Sequence, residues 1–104
     1  MDTIEILKSA RKLIEKPESW TQRAHARDHW GVSVPSYSPF ANCFCAVGAV
    51  HRVTDAQQYH GSSEALDALG QEAGGHVPTF NDTHSHEEVL ELFDKAIANL
   101  EASK

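Results

Sequence analysis

Between Thr3 and Lys16 the apolar residues Ile4, Ile6, Leu7, Ala10, Leu13 and Ile14 return to one side of a 3.6-residue repeat, which predicts an amphipathic helix. Pro17 supplies its stop, because the ring and the missing N–H disfavour continuation. From Glu18 to Phe40 the helical period fails. Arg23-Ala24-His25-Ala26-Arg27 and Gly31-Val32-Ser33-Val34 alternate instead, with Asp28-His29-Trp30-Gly31 as a turn, and this predicts a short, irregular β-hairpin. A structureless connection of this length is uncommon in a small domain, so the segment is expected to pack on the core or to form a binding surface.

The helical period resumes at Cys43–Thr54, where Phe44, Val47, Val50 and Val53 are spaced for burial and Asn42 is placed to cap. Ala46, Gly48 and Ala49 make this helix slim. Glycine costs about 1 kcal/mol relative to alanine in a helix interior, so a neighbour must benefit from the missing side chain. A polar loop over 56–61 leads to a helix that Ser62 or Ser63 caps and that runs to Ala73, where Gly74-Gly75 ends it. Val77-Pro78-Thr79-Phe80 reads as extended, as an edge strand. Ser85 and Glu88 stand in capping-box spacing before a final helix with the stripe Val89, Leu90, Phe93, Ala96, Ile97 and Leu100. The expected fold is α+β and α-rich. It is a single compact domain over residues 1–104 with about four helices and a small β-hairpin, the first and last helices packing around the slim central one.

Composition narrows the function classes. A 104-residue chain that is 40% hydrophobic and 23% charged has the balance of a folded globular domain rather than a disordered tail. A net charge of −6 repels phosphate backbones and anionic lipid, which disfavours nucleic acid as a primary ligand and favours a basic partner. No apolar run approaches the roughly 20 residues that span a bilayer, and Met1-Asp2-Thr3-Ile4-Glu5 lacks a secretion signal's basic start. The expected location is cytoplasmic, with Cys43 and Cys45 as thiols.

Two sets of residues carry chemistry. Cys45 near a helix start, with His86 as base and Asn81 or Asp82 as orienter, would make a Cys-His-Asn/Asp enzyme. Cys43, Cys45, His84 and His86 would supply Cys-x-Cys and His-x-His zinc ligands, although one intervening helical residue turns the two thiols about 200° apart. Against both stand ordinary roles: a buried core cysteine and an Asn-Asp turn that bonds its own backbone. Arg27 and Asp28 pair internally or hook a ligand. Trp20, Trp30, Tyr37 and Phe40 cluster in the irregular segment, where tryptophans are natural interface anchors.

The runs Glu15-Lys16-Pro17-Glu18-Ser19-Trp20-Thr21-Gln22, Ala26-Arg27-Asp28, Phe44-Cys45-Ala46-Val47-Gly48-Ala49, Phe80-Asn81-Asp82, Ser85-His86-Glu87-Glu88-Val89-Leu90 and Phe93-Asp94-Lys95-Ala96-Ile97 resemble a family of small bacterial and phage-encoded proteins. That family is a domain of unknown function. The resemblance covers nearly the whole chain in order; it implies a compact single domain and a phage or mobile-element origin, and it implies no activity. Asp82-Thr83-His84-Ser85 stands where the resemblance implies a glycine-containing turn, which weakens any site built on His84. The expectation is therefore a cytoplasmic, non-enzymatic monomer or small homo-oligomer without a cofactor. It would bind a protein partner through Trp20, Arg27, Asp28, Trp30 and Tyr37, as a modulator or inhibitor of a larger assembly. A Cys45/His86 enzyme or zinc-binding protein is the alternative.

Overall fold

The first helix, α1 (Thr3–Leu13), opens with a capping box in which the Asp2 carboxylate accepts the Glu5 N–H at 2.9 Å and the Glu5 carboxylate accepts the Asp2 N–H at 3.2 Å. The computed structural model describes residues 2–54 and 62–103. The helix stops at Ile14, earlier than the periodicity indicates. Lys16 is extended (φ −89°, ψ 142°), as a residue before proline prefers, and Pro17–Ser19 forms a 3₁₀ turn.

The expected hairpin forms, and a third strand joins it. Strands β1 (Ala26–Arg27), β2 (Ser33–Val34) and β3 (Cys43–Phe44) make an antiparallel sheet in the order β2-β1-β3, with Ala26 facing Val34 on one side and Phe44 on the other. Cys43–Phe44 is thus strand, not the first turn of a helix. Asn42 does not cap; its N–H donates to the Arg27 carbonyl at 2.8 Å. Burying Phe44 against the 20s segment outweighs the local helical pattern. On the outer side of β3 the Thr21 N–H donates to the Phe44 carbonyl at 3.0 Å, which covers that edge.

Four more helices follow: α2 (Ala46–Thr54), α3 (Ser62–Ala73), α4 (Val77–Thr83) and α5 (His86–Ala102). The extended reading of Val77–Phe80 is overturned. Pro78 lies in the first turn of α4, where the absent N–H has no intrahelical partner to lose, and the His76 ring accepts the Thr79 N–H at 3.3 Å. Among the described residues the α+β, α-rich fold therefore has five α-helices rather than about four, with a small three-stranded sheet. The expected loop over 56–61 lies outside the described residues. At α5 the Ser85–Glu88 capping box forms as the spacing predicts, and the Ser85 hydrogen bonds hold the Glu88 carboxyl below its ordinary pKa.

One hydrophobic cluster unites the elements, with Leu7, Ile14, Val50, Leu69, Val89 and Phe93 fully buried at its centre. Helix α1 packs on both α2 and α5, as expected, and α3 packs on α5. The run Ala46–Val50 of α2 is entirely buried. Gly48 is where the chain entering β1 meets this helix: the His25 backbone occupies the space that a Cβ would need.

Candidate functional site

Two arrangements compete for a functional role, and the first gathers the residues that sequence alone marks for chemistry. Asn81, buried inside α4, spends its whole amide on neighbours. Its Oδ1 accepts the Trp20 Nε1–H at 2.8 Å and the Ala46 N–H at 3.0 Å, while its Nδ2 donates to the Thr21 carbonyl at 3.0 Å and to Asp82 Oδ1 at 3.2 Å. Gln22 closes the cluster by donating to the carbonyls of Asn81 (3.1 Å) and His84 (3.2 Å). Asp82 Oδ1 also accepts the Arg23 N–H at 2.8 Å and so holds Arg23 at φ +64°. The segment Asn81–His86 and the chain that follows Cys43–Cys45 therefore meet in space, through Asn81 and the first residue of α2.

What they build there is a cross-link. The Cys45 sulfur accepts the Gly48 N–H at 3.2 Å, and the Cys45 carbonyl accepts the Ala49 N–H at 2.8 Å. Burial pushes the Cys45 thiol above its ordinary pKa, and the nearby Asp82 charge adds to that rise against the opposing Gly48 and Val47 hydrogen bonds. An activated nucleophile needs the opposite shift. His86 stacks obliquely on Trp20, centroids 5.5 Å apart, and its Nε2–H donates to the Ile14 carbonyl at 2.6 Å, stitching α5 to the end of α1. Cys45 and His86 share no hydrogen bond among the described residues, and the Asn81 amide has no capacity left to orient a base.

The zinc set is similarly dispersed. Cys43 lies half-buried on β3 with its sulfur 4.0 Å from the Arg27 carbonyl oxygen. His84 stacks flat on Phe80 at 3.7 Å and donates through Nδ1 to the Phe80 carbonyl at 2.9 Å. Among the described residues no three His, Cys, Asp or Glu side chains converge to hold a metal ion.

The second arrangement is a surface. Trp30 is 81% exposed, Phe40 73%, Tyr37 69% and Val32 58%, all carried by the hairpin turn and the loop between β2 and β3. These loops are fastened from beneath. The Arg27 guanidinium donates to the Gly31 carbonyl (3.0 Å), the Gln22 carbonyl (3.1 Å) and Thr21 Oγ1 (3.1 Å), so it ties the hairpin tip to the 20s segment. Asp28 Oδ1 accepts the N–H groups of Trp30 and Val32, each at 2.9 Å. On the other side, Arg52 of α2 lies over the Phe44 ring and donates to the carbonyls of Ser36 (3.0 Å) and Ser38 (2.7 Å), which flank Tyr37. Buried Ser38 further accepts the Phe40 N–H at 3.1 Å. The apolar side chains stand outward while the backbone beneath them is hydrogen-bonded.

This separates the five residues marked for binding. Trp30 and Tyr37 are on the surface. Trp20 is half-buried and belongs to the Asn81 cross-link, and Arg27 and Asp28 work under the turn rather than as an ion pair. Val32, Arg52, Ser36 and Ser38 escape the sequence reading; the one local signal is the bracketing of Ser36-Tyr37-Ser38 by Pro35 and Pro39.

Over residues 1–99 the sequence matches the model of a family of unknown function, DUF6197. The chain belongs to that family. No curated protein and no solved structure matches it. The DUF6197 match spans the hairpin, the Asn81 cross-link and nearly all of α5, so both arrangements lie within the family's domain. Among the described residues no helix is long and apolar enough to cross a membrane.

Proposed function

We propose that this DUF6197 domain is a non-enzymatic cytoplasmic protein that works by binding a protein partner through the face formed by Trp30, Val32, Tyr37 and Phe40. The supporting observation is the fastening of that face: internal arginines, Arg27 and Arg52, hold the loops that carry the exposed rings. Exposed aromatic side chains cost solubility, and a loop ordered in advance loses less entropy on association. Tryptophan and tyrosine are also the residues that dominate binding energy at interfaces. Modulation or inhibition of a larger assembly fits a small domain that presents such a face.

The test is quantitative capture from the cells in which the gene occurs, comparing the natural chain with the Trp30→Ala/Tyr37→Ala double variant. The expected result is a partner retained by the first and lost by the second, with both proteins folded. Equal capture by the two would contradict the proposal.

A further inference from the structure

The charge of this chain is unevenly distributed along its sequence, and the segment that carries the binding face has a net positive charge. Residues 19–54 hold Arg23, Arg27, Arg52 and three histidines against a single carboxylate, Asp28. Residues 55–104 hold ten acidic residues against two lysines. The net charge of −6 thus belongs to the C-terminal half, while the unit that presents the aromatic rings carries the opposite sign. Asp28, whose Oδ1 accepts the Trp30 and Val32 N–H groups of its own turn, offsets one of the three arginines and leaves an excess of two positive charges in this segment. Among the described residues neither Arg23 nor Arg27 has a carboxylate within ion-pair distance; the ion pairs found there join α1 to α5 or lie within α1 and the residues just after it. Arg23, His25 and His29 are exposed.

We propose that the face formed by Trp30, Val32, Tyr37 and Phe40 docks an acidic, apolar segment of a partner protein, an inference that rests on the partner-binding reading above. Aromatic anchors supply the buried area, and the Arg27 and Arg52 guanidinium charges, held on the Gly31, Ser36 and Ser38 carbonyls beneath the rings, favour carboxylates over basic segments. The total charge favours a basic partner at long range. Within a Debye length of about 8 Å the local sign decides which segment docks. The Ser33–Val34 edge is short, and Pro35 beside it has no N–H to pair, so recognition rests on side chains rather than on added strand. A second copy docking face to face would oppose like-charged surfaces. A nucleic acid would need a longer row of cations along its backbone than the two arginines beneath this face supply, and the net charge of −6 repels it.

The experiment is selection of a random phage-displayed peptide library on the intact protein, followed by titration of synthetic copies of the enriched peptides. The expected peptides combine Asp or Glu with Leu, Phe or Trp. Their binding should fall by about tenfold or more in Trp30→Ala/Tyr37→Ala, and similarly when their acidic residues are changed to lysine. Enriched peptides that need Trp30 and Tyr37 but are neutral or basic would overturn the acidic-partner inference and leave the binding face standing. Peptides indifferent to the double variant, or no enrichment, would overturn both. Dimerisation of the protein alone, or binding of a single-stranded oligonucleotide, would overturn the inference if the double variant abolished it, by giving the face to another occupant.

Discussion

Replacing Gly48 with alanine sets two principles against each other. Helix propensity favours alanine by up to about 1 kcal/mol at an interior helical position. The structure predicts the opposite sign. A Cβ on Gly48 would overlap the His25 carbonyl oxygen and stand 2.7 Å from its carbon, where real Cβ atoms essentially never come within 3.0 Å. The obstruction is backbone, so no rotamer change relieves it, and the chain entering β1 must separate from α2 by a distance on the order of 1 Å. Such overpacking costs typically about 1–3 kcal/mol. Separation also strains the hydrogen bond from the Cys45 N–H to the His25 carbonyl, now 3.1 Å, a net contribution of about 1 kcal/mol. After the propensity gain the expected loss is about 1–3 kcal/mol, or roughly 4–24 °C in Tm for a domain of this size. Urea unfolding followed by far-ultraviolet circular dichroism measures it. Unchanged or increased stability in Gly48→Ala would refute the close approach of the His25 backbone to α2.

Three further outcomes follow from other parts of the molecule. Asn81→Ala strands the buried Ala46 N–H together with the half-buried Trp20 indole N–H and Thr21 carbonyl; at about 1–3 kcal/mol for a buried group left unpaired and less for the two that water can reach, urea unfolding should show a loss of about 2 kcal/mol or more, and a loss below about 1 kcal/mol would refute the cross-link. His51, beside His25 with ring centroids 5.5 Å apart, has its pKa lowered from the ordinary 6.5, first by burial and then by that neighbour. The unfolded chain therefore takes up the proton first, and stability should decline as pH falls below about 6.5, less so in His51→Gln; equal pH profiles would contradict this. Iodoacetamide should modify half-buried Cys43 in the folded protein and reach Cys45 only on unfolding, as peptide mass mapping would report, whereas rapid modification of Cys45 would revive the nucleophile.

The parts of the fold legible in the sequence are those whose causes are local. Helix α1 announces itself through its apolar period, helix α5 through its apolar period and capping box, and Asp28 shapes its turn from within. Strand β3 is illegible because Phe44 satisfies a helical period locally, while its actual partner is Ala26, reached only when the chain folds back. Helix α4 is hidden because Val77–Phe80 is short, apolar and contains proline, and the same residues serve a strand or a first helical turn. Trp20 and Trp30 make the limit plainest. They are one residue type in one irregular segment, yet Asn81, distant in sequence, draws Trp20 inward while nothing among the described residues does so for Trp30. Which tryptophan is an anchor for a partner is a property of tertiary structure.

The most direct test of the binding face is site-specific photocrosslinking in the cells where the gene occurs, with benzoylphenylalanine placed at Trp30, Tyr37 or Phe40 and, for comparison, at exposed Ala98 on α5. The expected result is a discrete adduct of one partner from the three face positions and none from Ala98. Adducts from Ala98 alone, or none from the face, would contradict it.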